Sequence, residues 1–221
     1  MPNTLHRTGK QTHMRSWFTA LALVLTASIA SAQSVDPPTY AVGDSWTIKQ
    51  GSNTREVKVL KVGEAGSVEM LGFLAQCPAC IVQLDRSLTI VALLDGGGKP
   101  ADPSTVGFVP MGAGWQLFAF PLEPGKRWDF SASAIMRNQY ENYEFSNRVD
   151  RLEDVKTSAG TFKAYRIVRD IVLKGGQAMG RPRDVKWQTT SWFAPDVKFV
   201  VKSTSTSPTG QDSELVSYRV K

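Results

Sequence analysis

The stretch "EVKVLKV", residues 56–62, alternates apolar and charged side chains with a period of two. Successive side chains of a strand point to opposite faces, so Val57 and Val59 fall on one face of a half-buried strand. Similar β-rich runs lie outward from it in both directions, at 46–49, 68–75, 81–84, 88–94, 116–120, 127–134, 140–148, 162–173, 185–192, 199–206 and 215–220. Gly, Pro, Asp and Ser separate them. Evenly spaced short strands with such punctuation predict an all-β fold. The expected architecture is a single antiparallel curved sheet closing into a sandwich or partial barrel, with little helix. Closure would also remove the hazard of unpaired edges.

Several turns can be placed. Gly160 in "TSAGTF" sits where a positive φ is easily met. Pro195-Asp196 in "FAPDVKF" and Pro124-Gly125 in "PLEPGKRW" are turn pairs, the second favouring type II. Residues 95–114, "DGGGKPADPSTVGFVPMGAG", read as a long Gly- and Pro-rich loop, a length associated with function or mobility.

The N-terminus reads as an address. Arg15 precedes a short apolar stretch at 18–29, and Ala30-Ser31-Ala32 places small residues where a signal peptidase cuts. Residues 1–32 are therefore expected to be a signal peptide, with Met14 as a candidate true start. Residues 33–221 then form one β domain, delivered to the periplasm or beyond. The apolar run is shorter than the roughly 20 residues that span a bilayer, so no transmembrane span is expected in the mature chain. The whole chain carries 26 Lys+Arg and 20 Asp+Glu. Arg7, Lys10 and Arg15 leave with the leader and no acid does, so the mature charge is +3. Without a dense basic cluster, nucleic acid is not an expected partner.

Both histidines, His6 and His13, also leave with the leader. A Ser-His-Asp or Cys-His machine is then impossible. Two cysteines alone fall short of a four-ligand zinc site. No cofactor or metal is expected.

Five blocks occur in order along the chain: "YAVGDSW" (40–46), "FPLEPGKRW" (120–128), "AGTFKAYRI" (159–167), "WFAPDVKFVVK" (192–202) and "ELVSYRV" (214–220). Together they resemble a group of uncharacterised secreted bacterial β-sheet proteins. Those carry a G-D-x-W start, a G-T-F-x-A-Y-R-I hairpin and a W-Y-A-P-x-V-G-x-V-V-K hairpin. The resemblance implies a β fold and transfers no catalytic residue. Lys198 departs from it, standing where that pattern has glycine, which points to a different turn geometry there.

Cys77 and Cys80 form one C-x-x-C. A redox-active pair sits at a helix N-terminus, where the dipole lowers the thiol pKa. Here "IVQLDRSLTIV" follows, which is β-branched and alternating. The expected role is a disulfide stapling a turn in an oxidising compartment. Pro78 excludes the primed hairpin turns, so a type I or II turn or a wider loop must form.

Five tryptophans remain in the mature chain: Trp46, Trp115, Trp128, Trp187 and Trp192. Most are expected in the core. Trp115, Trp187 and Trp192, with Tyr140 and Tyr143 of "NQYENYEF", are the candidate ligand-binding side chains. Glu141 with Glu144, and Asp150 with Glu153 and Asp154, read first as solvated charge runs. Arg181 and Arg183 read as loop decoration. The leading expectation is a non-enzymatic cell-envelope protein that binds a ligand or partner through a concave sheet face or the 95–114 loop. Two alternatives stand beside it: a thiol-disulfide redox protein using Cys77 and Cys80, and a carboxylate-dependent hydrolase of cell-wall material.

Overall fold

The computed structural model describes residues 34–221, except 107, 112–113, 137–138, 176, 179–180 and 183. The expected signal peptide and its cleavage site lie outside the described residues, as do Arg183 and the side chain of Arg181. In chain order the strands are β1 (Ser45–Gln50), β2 (Asn53–Val62), β3 (Val68–Leu71), β4 (Ile81–Leu84), β5 (Thr89–Leu94), β6 (Phe108–Met111), β7 (Trp115–Gln116), β8 (Arg127–Met136), β9 (Gln139–Thr157), β10 (Gly160–Lys174), β11 (Gln177–Ala178), β12 (Arg181–Pro182), β13 (Val185–Ala194), β14 (Phe199–Ser205) and β15 (Ser213–Arg219). Helix among the described residues is limited to α1 (Pro103–Val106) and two 3-10 turns, Glu64–Gly66 and Pro195–Val197.

Thirteen strands form one antiparallel sheet in the order β6-β8-β9-β10-β13-β14-β15-β1-β2-β3-β4-β5-β7, and β11 and β12 form a separate two-stranded sheet. The large sheet curls into a nearly closed barrel. Across the gap between its two ends, Trp115 of β7 donates its indole N–H to the Ser133 carbonyl of β8 at 3.2 Å. The curl has a local cause. Leu60, Val91, Asp150, Val201 and Val216 are each an extra residue opposite a single partner register. Such bulges bend a strand and increase its twist.

The alternation at 56–62 is realised as read. Val57 and Val59 are fully buried, and the bulged Leu60 is 38% exposed. Inward side chains make two apolar clusters. The larger contains Trp46, Val57, Val59, Met70, Val82, Tyr165, Phe193 and Leu215. The smaller contains Ala132, Ala134, Tyr143, Phe145 and Ile171. Each Val- or Leu-sized side chain so buried contributes about 1.5–3 kcal/mol.

Three expectations change. The 95–114 segment is not one loop: it holds α1 and β6, and β6 pairs with β8. The strand read at 116–120 reduces to Trp115–Gln116. The charged run 150–154 belongs to the long strand β9, where pairing with β10 overrides the weak local signal.

The five sequence blocks meet in space. Trp46 donates its indole N–H to the Val197 carbonyl at 2.7 Å, and its ring stacks on Phe199 at 4.8 Å. Tyr40 donates its hydroxyl to the Lys198 carbonyl at 2.8 Å. The start block therefore grips the Pro195–Val197 turn. The Ala159 N–H donates to the Leu215 carbonyl at 3.2 Å, tying the Gly160 hairpin to the last block. The Gly125 N–H donates to the Val149 carbonyl at 2.8 Å, anchoring the remaining turn on β9. Lys198 itself has φ 59° and ψ 21°, the left-handed conformation that glycine favours. The lysine thus adopts the backbone shape suited to a glycine there, and the different geometry expected is not needed.

Gly160 has φ +136°, and a side chain there would be strained. Gly97 has no positive φ, and its added Cβ would approach only the Asp95 carboxylate at 3.3 Å. Gly160→Val is expected to cost about 1–3 kcal/mol and lower the melting midpoint by several degrees. Gly97→Val should change it little. Equal shifts in calorimetric melting would contradict this assignment of strain.

Candidate functional site

The barrel interior contains a cavity of about 240 Å³. Phe73, Phe118, Phe193 and Phe199 supply aromatic wall, Ile48, Leu88, Leu117, Ile167 and Val200 aliphatic wall, and Ser191, Ser203 and Ser213 a hydroxyl strip. The charged lining residues are Arg55, Arg169 and Lys198; Tyr40 is also present, and among the described residues no Asp or Glu lines it.

Alternation places these cations. Arg55 shares the inward face of β2 with Val57 and Val59, and Arg169 shares that of β10 with Ile167 and Ile171. Arg55 donates from Nε to the Gly72 carbonyl at 3.1 Å and from Nη1 to Gln50 Oε1 at 3.1 Å. Arg169 donates from Nε to Asn147 Oδ1 and from Nη2 to the Leu117 carbonyl, both at 2.6 Å. Its guanidinium also lies 5.9 Å from the Phe130 ring centroid and 5.7 Å from that of Phe145, within cation–π range. Residue Arg169 keeps some surface. Even so, burial pushes its guanidinium down to about 10, which leaves it charged at neutral pH. Burial also lowers Arg55. Among the described residues, neither arginine forms an ion pair, whereas Lys198 pairs with Asp44 at 3.2 Å.

Arg55 also borders a wider outer recess of about 640 Å³. Ala75, Gln76 and Pro78 line it from one side, and Thr209 and Gln211 from the other. Cys77 and Cys80 are disulfide-bonded, with Cα atoms 5.3 Å apart, inside the nine-residue connection between β3 and β4. Of the alternatives that Pro78 left open, the structure has a wider loop that contains a turn closed across Pro78. The Cys77 N–H donates to the Leu74 carbonyl at 3.2 Å and the Cys80 N–H to the Cys77 carbonyl at 3.0 Å, giving two consecutive turns. Cys80 is 1% exposed and leads directly into β4, with no helix beginning at the pair. The staple therefore shapes one lip of the recess. The dipole that would activate a thiol is missing.

The aromatic candidates separate into three places. Trp115, Tyr143 and Trp187 come together in the smaller cluster, with ring centroids 5.3 Å (Trp115–Tyr143) and 6.3 Å (Tyr143–Trp187) apart. The Tyr143 hydroxyl donates to Glu141, and burial, followed by that contact, raises its pKa. Tyr140 is 64% exposed. Trp192 donates its indole N–H to Glu153 at 2.7 Å, with the Lys202 ammonium 5.7 Å from its ring. That hydrogen bond is the main reason the Glu153 carboxyl is held below the usual range. None of these five lines the 240 Å³ cavity. The charge runs are ion-paired: Asp150 with Arg151 and Arg166, Asp154 with Lys163, and Glu144 with Lys174. Among the described residues, no three His, Cys, Asp or Glu side chains are grouped to share a metal ion. The cavity arginines were missed as candidates, although a signal was present. Each occupies an apolar parity position in an alternating strand, where a charge is out of place.

No family model matches the sequence, and no curated protein matches it. Two solved structures resemble the fold. A candidate lipoprotein from Parabacteroides distasonis ATCC 8503 superposes with a TM-score of 0.51 at 14% identity, over 85% of this chain and 100% of its own. A candidate exported protein with a YmcC-like fold from Bacteroides fragilis NCTC 9343 gives 0.50 at 13% identity, with the same coverages. At these identities the likeness concerns the fold. No helix among the described residues is long and apolar enough to cross a membrane.

Proposed function

We propose that this chain is an exported cell-envelope protein that binds a small apolar ligand inside its barrel and performs no chemistry on it. The observation that carries the reading is the apolar cavity of about 240 Å³, whose described walls include no carboxylate. Ligand sites are concave and mostly apolar, with a few placed polar groups, and this cavity has that composition. A glycoside hydrolase would need two facing carboxylates roughly 5–9.5 Å apart, and these walls offer none. A redox function would need an activated thiol, and the pair lacks the helix that activates one. Export is inferred from the basic, apolar, A-x-A series at 15–32, and agrees with the description of the two fold neighbours as exported or lipoprotein. The mature protein would be a single domain from Gln33.

The test is titration calorimetry with octan-1-ol, a neutral ligand of suitable size. Binding to the native protein is expected, and Ser203→Phe, which fills the cavity, should abolish it while the circular dichroism spectrum stays unchanged. Native mass spectrometry of protein taken from the periplasm should show a small co-purifying species. Identical calorimetry for the native and filled proteins would remove the cavity from consideration.

A further inference from the structure

From the charge inventory of the cavity we infer that the ligand is an anionic amphiphile: a short apolar body with a single carboxylate or phosphate head. The inference rests on the binding reading above and specifies its chemistry. Burying a cation is costly unless an anion or a full set of acceptors compensates it. Lys198 has its anion in Asp44. Arg55 and Arg169 are held by neutral acceptors and ring faces, and no ion pair is formed by either among the described residues. Two guanidinium groups therefore give the cavity walls a positive field, and among the described lining residues no carboxylate faces them, Asp44 being engaged by Lys198. Each guanidinium offers five N–H donors. Among the described residues, Arg55 uses three, one of them a long 3.5 Å contact to the Phe73 carbonyl, and Arg169 two. Donors remain for a bidentate head group.

The remaining wall fits the other half of such a molecule. Phe118 and Phe193 lie with ring centroids 5.2 Å apart, and Phe199 and Phe73 at 5.9 Å. At about 30 Å³ for each water-sized group, 240 Å³ admits a body of about eight heavy atoms. Ser191 and Ser203, with hydroxyl oxygens 3.4 Å apart, add neutral donors beside the apolar wall. Arg55 borders both the inner cavity and the outer recess, and Glu56 lines the recess but not the cavity.

Calorimetry with octanoate, octyl phosphate and octan-1-ol on the full mature protein tests this. At least one of the two anions is expected to bind about tenfold more tightly than the alcohol, as charge-assisted hydrogen bonds imply. The better anion identifies the head group as a carboxylate or a phosphate ester. Arg55→Met and Arg169→Met are then compared. Loss of the preference for the anion over octanol in either variant supports the inference and locates the head. Octanol binding as tightly as both anions would overturn the inference and leave the apolar-cavity reading standing. An anion preference that survives both substitutions would also overturn it. Failure of all three ligands to bind would remove the cavity reading itself.

Discussion

Gly72→Ala is expected to lower the thermal midpoint by about 8–16 °C, from a loss of about 4 kcal/mol at a few degrees per kcal/mol for a chain of this size. Two effects combine at this position. Gly72 has φ +73°, where an L side chain is strained by roughly 1–2 kcal/mol. A Cβ there would also lie well inside contact distance of the Glu56 carbonyl oxygen on β2. That neighbour is backbone in a paired strand and cannot rotate away. The chain must shift, and the Gly72 carbonyl that accepts from Arg55 Nε shifts with it. Gly98→Ala separates the two contributions. Gly98 has φ +79° and open space around the added Cβ, so only the conformational strain applies. Equal melting shifts for the two variants would show that β2 yields and that no close approach is enforced. Any folded Gly72→Ala protein should also bind ligand more weakly, since Phe73 and Arg55 both line the cavity.

Much of this architecture is legible from side-chain parity. The alternation at 56–62 assigns Val57 and Val59 to the interior, and both are fully buried; Tyr165 and Ile167 repeat the alternation on β10 and are at most 2% exposed. The limit of parity is the bulge. Asp150 is the extra residue opposite the Arg166/Ile167 step, so β9 keeps pairing with β10 through a charged stretch that reads locally as a solvated run. The register of β10, whose apolar pattern is strong, holds β9 in place, and that partner is not visible in the sequence of 150–154 alone. β6 was illegible for a similar reason. Phe108–Met111 contains Pro110 and sits among glycines, yet as an edge strand it pairs with β8 alone, and an edge tolerates proline. The cavity arginines lie between these cases. Their parity is readable, but their lack of ion pairs among the described residues is a property of the curled sheet. It emerges only when β2 and β10, distant in sequence, face a common interior.

Asp44→Ala is expected to cost about 3–5 kcal/mol, the range for breaking a buried ion pair from one side. Asp44 has no exposed surface and collects three donors from three parts of the chain. Its carboxylate accepts from the Ala41 N–H at 2.9 Å, from Lys198 Nζ at 3.2 Å and from the Lys221 N–H at 2.9 Å. Removing it leaves two backbone donors without their acceptor, and the Lys198 ammonium with the Lys221 carbonyl but no anion, where the first strand, the Pro195–Val197 turn and Lys221 meet. The lysine supplies an internal check. Lys198→Ala keeps the left-handed φ of 59° and loses the pair, whereas Lys198→Gly loses the pair and relieves the backbone. Lys198→Gly should therefore be about 1 kcal/mol more stable than Lys198→Ala, and both should be less damaging than Asp44→Ala, because without Lys198 the carboxylate still accepts from the Ala41 and Lys221 N–H groups, whereas Asp44→Ala removes the acceptor of all three donors. Urea titrations of the three variants give the order directly. A midpoint for Asp44→Ala equal to that of the native protein would mean that the carboxylate does not hold these three segments together. An advantage of Lys198→Ala over Lys198→Gly would mean that the residue is not left-handed in solution, and the turn geometry that the sequence pattern assigns to glycine would have to be redrawn.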